Sequence, residues 1–138
     1  MLRHKFVEFI PQVVEEGVLY VSIEYCTAIH MCICGCGNKV VTPLSPTDWK
    51  LTFNGKAVTL HPSIGNWNFK CQSHYWIINN KIEFASSWNK REIRKGRERD
   101  IERKKEYFEV KDIPTEKPRI SKGVKPTFWY KVLKGLGL

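Results

Sequence analysis

Four cysteines are the residues of this chain most able to do chemistry: Cys32, Cys34 and Cys36 in CICGCGN, and Cys71 in KCQSHYW. If the first segment is extended, positions i, i+2 and i+4 share one face, and Gly35 and Gly37 let the backbone turn around an ion. A tetrahedral zinc needs one more donor, at about 2.3 Å for sulfur or about 2.0 to 2.1 Å for imidazole nitrogen. Cys71 and His74, in a Cys-x-x-His spacing, both offer it, and His30 is a third possibility on the same strand. Sulfur from Cys32, Cys34, Cys36 and Cys71 makes the simplest closed set, and closed sets are structural. With three donors the ion would instead keep an open position for water, as catalytic zinc does. The plain alternative is free thiols, the natural reading for Cys26.

The second reactive stretch is HPSIGNWNFKCQSHYW, residues 61 to 76. Pro62 fixes the chain ahead of Ser63, and Gly65 and Asn66 follow in a turn whose N–H groups could face an oxygen. A serine held in such a turn beside a histidine is the minimum for nucleophilic catalysis, with imidazole taking the hydroxyl proton. If Cys71 is pinned to a metal, His74 is three residues from an anchor and can be aimed at Ser63. Against this, serines after proline are ordinary turn residues, and a histidine at this spacing is an ordinary ligand. Candidates for a third group to orient His74 are Asp48, Asn66 and His30.

These groups must be positioned by a chain of 138 residues, the size of one domain with appendages. No apolar run approaches the roughly 18 to 20 residues of a membrane span. The N-terminal MLRHKFVEFIP has no uninterrupted apolar core and does not read as a secretory signal, so the expected compartment is a reducing cytoplasm. There, an odd count of five clustered cysteines favours metal over disulfides.

The fold expected is mainly β, a small antiparallel domain built from hairpins around a structural zinc. GVLYVSIEY reads as a strand, TAIHMCIC and NKVVTPL as two strands around the glycine-rich turn, WKLTF and KAVTL as a hairpin about Asn54-Gly55, and YWII and KIEFA as another about Asn79-Asn80. Residues 1–89 hold seven Lys or Arg against six Asp or Glu, whereas 90–138 hold sixteen against eight. The boundary therefore falls near Asn89. Beyond it come a basic helix with a thin stripe at Ile93, Ile101 and Phe108, an extended linker, and an aromatic segment, Phe128 to Tyr130, that docks on the rest.

The run from His30 to about Ala85, with CICGCG, TPLSPTDWKL, HPSIGNW and CQSHYWI, resembles a bacterial domain family often encoded beside ubiquitin-like proteins and their E1-like and E2-like enzymes. The resemblance implies a deubiquitinase-like serine peptidase of antiphage ubiquitination-like operons. It would remove a ubiquitin-like protein from its conjugates, with Ser63 as nucleophile, His74 as general base, N–H groups near Gly65 and Asn66 for the oxyanion, and Zn2+ as scaffold. The implied partners are the ubiquitin-like protein and its conjugates, with the E1-like and E2-like enzymes beside them. Two rivals stand in other classes. One is a zinc-stabilised nucleic-acid binder using the basic tail and exposed aromatics, although eight acidic residues interrupt that tail. The other is a noncatalytic module that holds a ubiquitin-like tail.

Overall fold

The computed structural model describes residues 1–111, and the linker and aromatic segment expected further on lie outside the described residues. Eight strands and one helix follow in order: β1 Arg3–Phe6, β2 Val18–Ser22, β3 Thr27–Met31, β4 Lys39–Pro43, β5 Lys50–Phe53, β6 Val58–Gly65, β7 His74–Ile78, β8 Lys81–Phe84 and α1 Lys90–Lys111. They form two four-stranded sheets, β1-β2-β3-β4 and β5-β6-β7-β8. Mainly β is therefore correct, as is the helix after Asn89.

The expected hairpins are β3–β4, β5–β6 and β7–β8. At β7–β8 the loop is Asn79-Asn80, with φ of 49° and 62°, the paired left-handed geometry of a two-residue turn. The β5–β6 loop is longer than expected. Phe53 pairs with Val58, leaving four residues, because Asn54 Oδ1 accepts from the N–H groups of Lys56 and Ala57 at 3.0 and 2.8 Å and closes a side-chain turn. The sheets are not wholly antiparallel either: β1 runs parallel to β2, Arg3 opposite Val18.

Strands β2, β3, β4, β6 and β7 send residues inward. Leu19, Val21, Ala28 and Val40 from the first sheet and Val58, Leu60, Ile64, Tyr75 and Ile77 from the second form one buried cluster. Burying a side chain of this kind contributes about 1.5 to 3 kcal/mol. β2 is buried on both faces, because Val18 and Tyr20 pack beneath Val7, Ile10 and Val14. That explains why VLYVS lacks polar alternation.

α1 opens with a capping box. Asn89 Oδ1 accepts from the Glu92 N–H at 3.0 Å, and Glu92 Oε2 accepts from the Asn89 N–H at 2.7 Å. Ile101 and Phe108 are exposed, as a solvated helix requires, while Ile93 is half-buried. Most of α1 belongs to the compact unit Met1–Phe108. No helix among the described residues is long and apolar enough to cross a membrane.

Candidate active site

Ser63 sits in a bulged strand rather than the turn expected. β6 pairs Leu60 with Ile77 and Ile64 with Tyr75, so His61, Pro62 and Ser63 stand opposite Trp76 alone. Proline has no N–H for the ladder, and the extra residues bend the strand there. Ser63 Oγ is thereby brought 2.9 Å from Nε2 of His74, at the start of β7.

The other imidazole nitrogen, Nδ1, is 3.0 Å from the main-chain oxygen of Ser86. A carbonyl can only accept, so Nδ1 carries the hydrogen and Nε2 keeps its lone pair for the Ser63 hydroxyl. This is the tautomer a general base needs. The orienting group is thus a main-chain carbonyl, which has no signature in a sequence. Among the described residues no carboxylate bonds to His74. Asp48 instead takes the Ser45 hydroxyl at 2.7 Å and Lys104 at 2.8 Å, and these two partners hold its carboxyl below the usual range. His30 is fully buried on the other side, its Nε2 2.7 Å from the Tyr75 hydroxyl, and burial pushes its pKa down to about 4. It neither orients His74 nor joins the thiols.

His74 is buried and ringed by indoles. Trp67, Trp88 and Trp76 have ring centroids 5.0, 5.1 and 5.8 Å from it, and Trp67 stacks on Trp88 at 5.4 Å. Gly65 makes room for this packing, since a Cβ there would stand 2.4 Å from Trp67 Nε1. A cleft of about 900 Å³ opens over the pair, bordered by Pro62, Ser63, Trp67, His74 and Trp88 on the sheet side and by α1.

Asn66 does not turn toward Ser63. Its N–H bonds the Ser73 carbonyl at 2.9 Å, and its side-chain amide donates to the Ser73 hydroxyl at 2.9 Å and toward the Tyr75 hydroxyl at 3.4 Å. Its donors are spent inside, so the oxyanion role expected of it is not available in this geometry. Gly65 differs. The Asn66 to Ser73 bond makes Gly65–His74 a non-hydrogen-bonded pair, so the Gly65 N–H points away from β7. On that side β5 has already ended, its pairing reaching only His61.

The thiols of Cys32, Cys34, Cys36 and Cys71 all lie within 4.8 Å of one another. Cys32 Sγ is 3.4 Å from Cys34 Sγ and 3.8 Å from Cys71 Sγ. A tetrahedron with arms of about 2.3 Å has edges of about 3.8 Å, so the cluster fits a metal ion held by four sulfurs. The convergence does not come from a strand face: β3 ends at Met31, and the loop curls at Gly35 and Gly37, with φ of 82° and 81°. The Asn38 N–H pushes the Cys36 thiol down to about 6, and the Ser73 hydroxyl lowers Cys71. The hydrogen bond with Cys32 drives Cys34 up to about 12. A bound cation would favour the thiolate form of all four. Cys26 is exposed and apart from the cluster.

A family model described as the bacterial ubiquitination-like system serine protease (BubE) matches residues 6–85, more than half of the chain. The chain belongs to this family. The matched BubE region contains Ser63, His74 and all four clustered cysteines, and it ends one residue short of Ser86, whose carbonyl holds His74. Neither a search of curated proteins nor one of solved structures returned a significant match.

Proposed function

We propose that this BubE-family chain is a serine peptidase that processes a bacterial ubiquitin-like protein or frees it from its conjugates, within an antiphage ubiquitination-like pathway of the cytoplasm. The observation that carries this reading is the line Ser63 Oγ, His74 Nε2, His74 Nδ1, Ser86 carbonyl, at 2.9 and 3.0 Å. Ser63 Oγ attacks the carbonyl carbon joining the ubiquitin-like C-terminus to its target, and its proton passes to Nε2. The imidazolium then gives that proton to the departing amine or hydroxyl as the bond to carbon breaks. Water then bonds to the acyl carbon as Nε2 takes its proton, the bond from that carbon to Ser63 Oγ breaks, and the imidazolium returns the proton to Oγ. The Ser86 carbonyl stabilises the imidazolium, and the surrounding indoles exclude water that would compete with the base. The Gly65 N–H, free of the ladder, donates to the oxyanion.

Zinc fits the four thiolates of Cys32, Cys34, Cys36 and Cys71, and would supply a cross-link rather than a reacting centre, since a closed set leaves no position for water. The link ties the loop after β3 to the turn before β7, three residues from His74. The partners of this reading are the ubiquitin-like protein, its conjugates and the accompanying E1-like and E2-like enzymes. The test is cleavage of a ubiquitin-like protein extended at its C-terminus, by wild type and Ser63→Ala, with zinc measured in both. Loss of cleavage with zinc and fold retained supports the peptidase. Wild type that binds this protein without turnover makes the chain a noncatalytic holder, and salt-sensitive binding to nucleic acid alone favours the basic-tail reading.

A further inference from the structure

The segment just beyond the matched BubE region supplies two of the groups around His74. The Ser86 carbonyl accepts from Nδ1, and the Trp88 ring lies 5.1 Å from the imidazole while stacking on Trp67. Both are tied to α1. Asn89 caps the helix one residue after Trp88, and the ring of Trp88 seats on the helix at Gly96, where a Cβ would come within 2.8 Å of Cζ3. Arg97 donates to Asn68 Oδ1 at 2.8 Å and Lys104 pairs with Asp48 at 2.8 Å, holding the helix along the cleft.

We propose that α1 is a positioning element of the active site. Its notch at Gly96 seats Trp88, and the seated Trp88 keeps the Ser86 carbonyl and the Trp67 stack against His74, fixing the tautomer that accepts the Ser63 proton. The proposal rests on the reading of Ser63 and His74 as nucleophile and base. It gives Gly96 a reason to be where it is, since glycine in a helix interior is otherwise a cost and alanine a gain. A helix that only decorates the domain is improved by Gly96→Ala. A helix that seats Trp88 has that ring pushed into its neighbours by the added methyl.

The experiment compares the full chain as wild type, Gly96→Ala, Trp88→Leu and the double variant Gly96→Ala with Trp88→Phe. Two quantities are read: the rate of cleavage of a C-terminally extended ubiquitin-like protein, and the nitrogen-15 spectrum of the His74 ring, which reports the Nδ1–H tautomer without turnover. The expected result for Gly96→Ala is a cleavage rate down by about tenfold, since small misplacements near reacting groups are costly, with a melting temperature that does not rise, because the displaced ring offsets alanine's helix propensity, and an altered His74 spectrum. The smaller phenylalanine ring then restores both readings in the double variant. Trp88→Leu loses at least as much, and should it fail to fold, Gly96→Ala alone decides. Gly96→Ala with the wild-type rate and the wild-type His74 spectrum overturns the proposal. A wild type without turnover overturns the peptidase reading instead, and the His74 spectra still decide whether α1 holds the ring.

Discussion

Replacing Tyr75 with phenylalanine isolates the buried polar network between the thiols and the core. The ring of Tyr75 is fully buried and keeps its packing in the variant, so only the hydroxyl is lost. That hydroxyl is the partner of His30 Nε2 at 2.7 Å, and it accepts from the Asn66 amide at 3.4 Å. His30 Nδ1 is buried with no partner among the described residues, so Tyr75→Phe leaves the imidazole without a bond to any of them. An orphaned buried polar group costs about 1 to 3 kcal/mol. The Asn66 amide keeps the Ser73 hydroxyl at 2.9 Å, so its loss is small. The expected destabilisation is therefore about 2 kcal/mol, and at about 4 °C per kcal/mol, where the ranges for smaller and larger domains meet, the melting point falls by about 8 °C. Thermal unfolding followed by circular dichroism, with metal content measured before heating, provides the reading. A fall of less than about 3 °C with metal retained would falsify the assignment of His30 to a structural bond with Tyr75.

Removal of zinc with a strong chelator is expected to lower stability by several kcal/mol and to abolish cleavage together with the fold, because a four-sulfur site is part of the folding free energy. Cys34→Ser and Cys36→Ser should each lose the metal, while Cys26→Ser keeps it, as metal analysis of the purified variants will report. Gly65→Ala places a methyl where Trp67 already lies, 2.4 Å from Nε1, and is expected to cost about 1 to 3 kcal/mol and to slow cleavage. Unchanged stability and rate would contradict the packing of Trp67 on β6. Lys104 and Ser45 hold Asp48 below the usual carboxylate range, so this contribution is present above the ordinary aspartate pKa and is lost as pH falls through the lowered value. Lys104→Ala should weaken that acid-side dependence in unfolding curves, leaving the part due to Ser45, while changing neutral-pH stability by less than about 1 kcal/mol, since the pair is partly exposed.

The hairpins were legible because turn chemistry is local: Asn79-Asn80 tolerates positive φ, and the sequence says so directly. The thiol cluster was legible from spacing, although the loop glycines and not a strand face gather it. Ser63 and His74 were legible as residue types, but not the bulge that joins them, since three residues opposite one is a property of the pairing between β6 and β7. The parallel partner of β1 carries no turn signal, as its connection to β2 is long. The Ser86 carbonyl is invisible in any sequence, because every residue has one. A glycine inside a helix is by itself only a weak point, and the purpose of Gly96 appears when Trp88 is seen lying on it.

Whether Ser63 is the nucleophile is read from the site of covalent capture. The full chain is treated with a fluorophosphonate, which phosphonylates an activated serine with loss of fluoride, and the adduct is mapped by mass spectrometry in wild type, Ser63→Ala and His74→Ala. One adduct is expected, on Ser63, absent in Ser63→Ala and slowed by at least about a hundredfold in His74→Ala, with metal content equal in all three. An adduct on another serine, or labelling of wild type no faster than His74→Ala, would contradict it.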